Sequence, residues 1–455
     1  MTRFQEIEHK VLQQIIPSDD DRDNLKSIIK SVNDAVNVEI TIRGLPAITE
    51  LVGSTAKDTF LRNILDIDLF LLFPPETDKQ YMADHTLSIG RTILKDAEEC
   101  YAEHPYIRGT YEGYKVELVP SYQIKHAHQK LSAVDRTPLH TRYVKEHITS
   151  DQKQEVRLLK QFLHGIGCYG AEASIQGFSG YLCEILIIQF ETFYHLLLQA
   201  VEWRHGTKLS LLNEPIPDFP EILIVIDPVD PGRNVASAVA KETFELFQKA
   251  CNAYLYNPST TFFFPNPVTP WSVQKIRTTM QQQSYKYVGI RFPKPDIIEE
   301  NLYPQLRKAC RSIETACTLY GFSIYESLFF VSNEKNQIHI IIKTDKGPIT
   351  EKHTHMGPPL DFKQHQNKFM EKWASNPLVI DGPYRKNGRW YVDIRREYTE
   401  ILPFLSSILL TLSLGKHLDS IMKKHARIIE GTDVFDEEFS TYWTKYLDGK
   451  ASWER

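Results

Sequence analysis

The 455-residue chain has only six cysteines, at 100, 168, 183, 251, 310 and 317, and no two of them form a Cys-x-x-Cys pair. That scatter offers no zinc-ligand spacing and no disulfide framework, and it fits a reduced, cytosolic setting. Nor does any run reach the roughly 18 apolar residues of a membrane span. The stretch "ILIIQFETFYHLLL" is broken by Gln189 and Glu191. The amino terminus, "MTRFQEIEHK", has no apolar stretch behind its basic residue, so no signal peptide is expected. Internal repeats and low-complexity tracts are missing too. A basic excess is also absent: the net charge is −5 and the pI near 6.4. That balance does not exclude a nucleic-acid partner, because binding depends on where the basic groups gather. What remains, 42% hydrophobic and 24% charged residues, is the composition of a soluble globular protein. The length calls for about three or four domains, with no membrane partner.

Periodicity gives a coarse map. Residues 3 to 16 read as a helix with Phe4, Ile7, Val11 and Ile15 on one side. Ser18 can cap a second helix carrying Leu25, Ile28, Ile29 and Val32. "VNVEITIRG" alternates as a strand, and a sheet-rich segment follows to about Pro120. Thr149 with Gln152 makes a capping-box start, Gly165 and Gly167 mark that helix's end, and a second long helix follows Ser179. The proline-rich run "YNPSTTFFFPNPVTPW" (256–271) is the best domain boundary. Beyond it, "YKYVGIRF", a helix over 301–320, "SLFFVSN" and "QIHIIIK" give a β-α-β-β order. "YRKNGRWYVDIRREY" is a hairpin whose Asn387-Gly388 suits a type I′ turn, and residues 399 to about 428 read as helical.

The chemistry concentrates in "LVGSTAKDTFLRNILDIDLFLLF" (51–73), where Asp66 and Asp68 flank Ile67 in an apolar strand. Side chains alternate along a strand, so the two carboxylates face the same way, with Cα atoms about 6.5–7 Å apart. In such a setting one would have to take up a proton unless a cation intervened. Hard Mg²⁺, with its preference for oxygen ligands and phosphates, is the natural choice. "YKVELVP" supplies a third acid, Glu117, on a strand able to pair beside the first. A dozen residues before Asp66, Gly53-Ser54 stands between "TELV" and the helical "STAKDTFL". Gly permits close backbone approach, and the hydroxyl with free helix-start amides makes a phosphate seat. For a D-x-D alone, an edge strand with solvated charges is the better reading; the phosphate seat shifts the balance to a nucleotide site.

Gly-Ser, a spacer and then Asp-x-Asp with apolar flanks resembles the DNA polymerase beta-type nucleotidyltransferase superfamily. Longer stretches are similar to archaeal, class I CCA-adding enzymes: "AEHPYIRGTYEGYKVELVPSY", "SAVDRTPLHTRYV", "EVRLLKQFLHGIGCYGAE", "GFSGYLCEILI" and "DPVDPGRNVA", with weaker matches at "HMGPP" and "DGPYRKNGRWYVDIRREY". The resemblance covers nearly the whole chain. It implies untemplated addition of C, C and A to the 3′ end of tRNA from CTP and ATP, with Asp66, Asp68 and Glu117 as catalytic metal ligands for Mg²⁺. Ser54 and Lys57 match its phosphate-binding positions; Thr137, His140, Lys160 and Tyr169 match nucleotide contacts; Arg233 matches the arginine that helps read the base. Lys153, Arg157, Lys160 and His164 also fall on one helix face, a basic stripe that suits a triphosphate or, more plainly, a solvated face. Three departures stand out. Glu117 replaces the usual Asp, Lys57 replaces what is more often Arg, and "RNIL" before Asp66 is more apolar than the polar turn expected there.

The implied fold is α+β and multidomain: a nucleotidyltransferase head with a mixed sheet (1–148), a helical nucleotide-recognition neck (149–256), an RRM-like α/β RNA-binding body (257–320 and 386–455) and a tail contacting the tRNA arm (321–385). In the hairpin, Arg389, Tyr391, Asp393 and Arg395 face one way and Trp390, Val392 and Ile394 the other. On the helix over 301–320, Leu302, Leu306, Ala309, Ile313 and Ala316 form a core stripe, leaving Arg307 and Arg311 on another side. Arg307, Arg311, Arg389 and Arg395 are the candidate contacts to tRNA backbone in its acceptor and T arms, where shape rather than base identity would be read. His126-x-His128 and His353-x-His355 lack partner ligands and read as solvated loop residues. A homodimer is compatible with the sequence. The competing readings are a poly(A) polymerase or related terminal transferase, and a catalytically silent RNA-binding module.

Overall fold

The computed structural model describes residues 2–62, 66–101 and 105–455, so most of the apolar "RNIL" turn (63–65) lies outside the described residues. The chain divides into two units, 1–267 with 451–455, and 268–450. The division falls within the proline-rich run 256–271.

The first unit opens with two capped helices. Thr2 and Gln5 form a capping box for α1 (Arg3–Ile15), which buries Ile7, Val11 and Ile15. Ser18 and Asp21 do the same for α2 (Asp19–Ile42). The expected strand "VNVEITIRG" is instead the end of α2. Its β-branched alternation suggests a pleat, but Val32, Val36 and Ile40 repeat every four residues and are buried, while Val38 and Ile42 are 55% and 73% exposed. Packing against the sheet thus overrides strand propensity.

Next come β1 (Ile48–Val52), α3 (Gly53–Lys57), β2 (Asp66–Phe73), α4 (Lys79–Ile93), β3 (Lys95–Tyr101), β4 (Pro105–Tyr111) and β5 (Tyr114–Tyr122). They build a five-stranded mixed sheet in the order β1-β2-β5-β4-β3, in which only β2 and β5 run parallel. The helical reading of "STAKDTFL" holds only to Lys57, because Asp58 takes a left-handed φ of 55° and ends α3.

Helices dominate the remainder of this unit: α5 (Arg136–His147), α6 (Ser150–Ile166), α7 (Gly180–Phe190), α8 (Phe193–Val201), a short parallel pair β6 (Thr207–Leu209) and β7 (Leu223–Val225), and α9 (Lys241–Tyr256). The Thr149–Gln152 capping box starts α6, and Gly167 ends it in the left-handed region. Gly165 has a different task inside the helix: a Cβ there would lie 2.1 Å from the Phe262 carbonyl oxygen. The single helix expected after Ser179 is two, bent by 92° between α7 and α8. Among the described residues no single helix is long and apolar enough to cross a membrane, and most apolar residues of this bent pair, though not exposed Leu198, lie in a core with Phe162, Phe247 and Tyr254.

The second unit contains α10 (Val273–Gln282), β8 (Tyr285–Pro293), α11 (Glu299–Tyr320), β9 (Ile324–Ser332), β10 (Gln337–Asp345), β11 (Lys352–Pro359), α12 (Lys363–Trp373), β12 (Val379–Lys386), β13 (Arg389–Arg395), α13 (Ile401–Ile408), α14 (Leu418–His425), β14 (Arg427–Glu430) and α15 (Ser440–Asp448). An antiparallel sheet in the order β14-β8-β10-β9 gives the split β-α-β topology of RNA-recognition motifs. The likeness ends at topology. One sheet face packs on α11, α13 and α14; the other, through Tyr287, Phe330 and Ile341, is covered by α10 and α15.

Here the sequence-based boundaries need correction. β9 and β10, expected in the tail, pair with β8 in the body, since Ile338, Ile340 and Ile342 complete its core. The hairpin expected in the body pairs with β11 in a separate sheet, β11-β13-β12. Asn387 and Gly388 both take positive φ, as a type I′ turn requires. Ala316 is only half-buried and Cys317 occupies the core in its place. The helical reading of 399–428 is interrupted over 409–417, where Gly415 has φ 124°.

Candidate active site

Strand pairing explains how the acids meet. Asp66 and Asp68 are half-buried and alternate with fully buried Ile67 and Leu69. The parallel register sets Asp68 beside Glu117 on β5, so all three acids share one sheet face. On its other side Asp68 meets Gly53, whose φ is 72° and where a Cβ would lie 1.9 Å from Asp68 Oδ2. A side chain there would have to displace the Asp68 carboxylate as well as adopt a left-handed backbone. Burial, then the charges of Glu117 and Asp66, push the Asp68 carboxyl up to about 7. Glu117 is held by Arg108 from β4, whose Nε donates to Oε1 at 2.7 Å. Among the described residues no three His, Cys, Asp or Glu side chains converge closely enough to cage a metal ion. The register places the acids on one face, where Glu117 is engaged by Arg108.

Beside this face lies a buried cluster. Lys57 Nζ, at the end of α3, is 2.5 Å from Glu184 Oε2 on α7. Thr59 Oγ1 donates to Glu184 Oε1 at 2.6 Å, and Lys160 Nζ, on α6, is 3.5 Å from the same oxygen. Lys160 also donates to the Thr59 carbonyl at 3.0 Å. Burial would raise the Glu184 carboxyl, but the two ammonium groups override it and hold it below its ordinary range. Burial lowers Lys160, with Glu184 opposing. Tyr169, whose ring lies tilted 4.1 Å from that of His164, is raised by burial and feels the charges of Glu184 and Asp66. Ser54 and Thr137 are half-buried at the first turns of α3 and α5.

A second buried carboxylate organises the next group. Asp227 accepts from Arg233 at 2.9 Å, from the Tyr181 hydroxyl at 3.0 Å and from the Val229 amide at 3.1 Å, and lies 2.8 Å from His140 Nε2. Burial alone would raise it; these hydrogen bonds instead bring it to about 2. Burial also keeps His140 below its ordinary value, so the neutral ring donates from Nε2 to the ionised Asp227. The His140 ring stacks on Tyr181 at 3.9 Å.

Comparison with known proteins follows the same division. The nucleotidyltransferase domain model matches residues 44–140, the second-domain model of tRNA nucleotidyltransferases matches 154–264, and the C-terminal domain model of CCA-adding enzymes matches 283–431. The chain is 34% identical to the CCA-adding enzyme of Methanosarcina barkeri, over 97% of this chain and 98% of that protein. It is 32% identical to that of Haloarcula marismortui, over 98% and 99%. The chain belongs to the CCA-adding enzyme family.

Not every residue singled out in the sequence joins this site. The basic stripe of α6 is no open phosphate rail. Arg157 is fully buried and donates to the Asp58 carboxylate and carbonyl at 2.6 and 2.7 Å and to the Phe60 carbonyl at 2.9 Å, while Lys153 pairs with Asp58 at 3.6 Å. Arg157 and Lys153 fix the loop after α3 instead. Arg307, Arg311, Arg389 and Arg395 all belong to the second unit. Arg311 is exposed and Arg307 half-buried on α11. Arg389 donates to the Gly357 carbonyl at 3.2 Å, and Arg395 pairs with Glu351 at 2.9 Å. His353 and His355 are half-buried on β11 rather than in a loop, with His355 stacked on Phe369.

Sequence reading passed over Glu184 and Asp227 as individual residues, although it quoted both in family-like stretches. Their signal was a lone acid in an apolar run, "YLCEILII" and "ILIVID", the same signal that drew attention to Asp66.

Proposed function

We propose that this CCA-adding family member builds the C, C and A of the tRNA 3′ end from CTP and ATP without a template, releasing pyrophosphate. The observation that carries this reading is the register of Asp68 with Glu117, which sets both on one sheet face with Asp66, with Asp68 packed on Gly53 beside two buried lysines.

The acid face suits a divalent cation. Its donors are hard oxygens, they are half-buried and mutually repelling, and burial with the charges of Glu117 and Asp66 pushes the Asp68 carboxyl up to about 7 although Lys57 and Arg108 oppose the rise. Asp66 and Asp68 would hold Mg²⁺, with Glu117 joining once Arg108 releases it. Bound there, the ion supplies neutralisation of phosphate charge and acidification of the RNA 3′-hydroxyl. The chain's own residues do the rest. Ser54 donates its hydroxyl to a phosphate oxygen, and Lys57 and Lys160 seat the triphosphate and offset the charge of departing pyrophosphate. Glu117 accepts the proton of the attacking hydroxyl. Tyr169 and Thr137 border the nucleotide. Arg233 keeps N–H donors beyond those given to Asp227 and offers them to ring acceptors of cytosine or adenine, while His140 stays stacked on Tyr181.

Residues 1–148 and 149–256 are then head and neck of one site, and Arg307, Arg311, Arg389 and Arg395 touch tRNA backbone from the second unit. The setting is the cytoplasm, where uncharged tRNA is the partner. Incubation of tRNA lacking its tail with CTP and ATP tests the reading. Addition that stops after C, C and A supports it; a long homopolymer would favour a poly(A) polymerase, and no incorporation a silent RNA-binding module.

A further inference from the structure

Glu184 is a buried carboxylate in a helix whose other inward residues are apolar. Such a group costs desolvation energy, and a well-packed apolar replacement of a buried ion pair is often no less stable. Its presence therefore asks for a reason other than stability. Both its oxygens are used, Oε2 by Lys57 and Oε1 by Thr59 and Lys160. Lys57 and Thr59 come from the segment matching the nucleotidyltransferase domain, Lys160 and Glu184 from the segment matching the second domain. The start of α7 is pressed onto the same group: a Cβ on Gly180 would lie 3.1 Å from the Tyr169 hydroxyl and 3.7 Å from Lys160 Nζ. Two ammonium groups balanced by one carboxylate leave a single positive charge.

We propose that Glu184 is the positioning residue of the triphosphate seat, fixing Lys57 and Lys160 at one spacing and leaving one charge open to an incoming polyphosphate. This rests on the reading that Lys57 and Lys160 meet the triphosphate. Glu184 touches neither substrate nor reacting atoms; it acts through the lysines. Without it the seat has two mutually repelling cations, and Lys160, already lowered by burial, loses the neighbour that opposes the fall.

Steady-state kinetics on the full chain with tailless tRNA provides the test. In Glu184→Gln, KM for both CTP and ATP should rise about tenfold, from loss of a buried charge-assisted contact. KM for tRNA should stay put, the alkaline limb of kcat/KM should move to lower pH, and Glu184→Asp should recover part of the loss. A folded Glu184→Gln protein with unchanged nucleotide KM and an unchanged alkaline limb overturns the proposal. If Glu184→Gln does not fold, Thr59→Val, which removes only the bridging hydroxyl, takes its place: raised nucleotide KM supports the clamp and unchanged KM overturns it. Lys57→Met and Lys160→Met separate the two layers. Impaired lysine variants beside a normal Glu184→Gln overturn the clamp alone, whereas normal lysine variants overturn the seat and the clamp with it.

Discussion

At the scale of single residues, Asp68 is the pivot. It is enclosed by Gly53, Asp66 and Glu117, and its carboxyl is pushed up to about 7 by burial and like charge. The sign of the consequence is definite. A raised folded-state value means the native protein binds more protons than the unfolded chain between about pH 4 and 7, so stability falls as pH rises through that window. Asp68→Asn should therefore flatten the decline in Tm between pH 5 and 8 in divalent-free buffer. Mg²⁺ should raise Tm of the parent protein at pH 8 and leave the variant unmoved, while nucleotide incorporation by the variant falls on the order of a thousandfold or more. Differential scanning fluorimetry with a primer-extension assay checks each part. Asp66 and Asp68 were legible because two acids in an apolar strand are conspicuous. Glu184 and Asp227 were equally conspicuous, but each stands alone, and only the fold reveals that their partners come from distant elements.

Among elements, helix ends were legible and the interiors of β-branched helices were not. Ser18 and Thr149 announce starts that the backbone obeys, because each side chain satisfies an amide that would otherwise go unbonded. "VNVEITIRG" misleads because alternation of Val, Ile and polar residues satisfies a period of two while Val32, Val36 and Ile40 also satisfy the helical repeat. The two periods make opposite demands of neighbouring positions. Val36→Asp should destabilise the protein by about 3 kcal/mol, whereas Val38→Asp should stay within about 0.5 kcal/mol. Urea unfolding measures both, and equal losses would restore the strand. Breaks inside long apolar stretches, such as that at Glu191 with φ 69°, have no local sequence mark as plain as Gly or Pro.

For the molecule as a whole, the sequence located the change from one unit to the other within its proline-rich run, but not which strands share a sheet in the second unit. β9 and β10 belong with β8, and the hairpin with β11; strand order depends on long-range pairing that periodicity does not encode. On the proposed function, the acids of β2 and β5, the lysines of α3 and α6 and the 227–233 loop, all in the first unit, converge on one bound nucleotide. Anomalous diffraction from the protein crystallised with Mn²⁺ and CTP examines that convergence directly. A manganese peak bound by Asp66 and Asp68, with the CTP phosphates on Lys57 and Lys160, is the expected result; manganese bound away from both aspartates, or a triphosphate seated elsewhere, would contradict it.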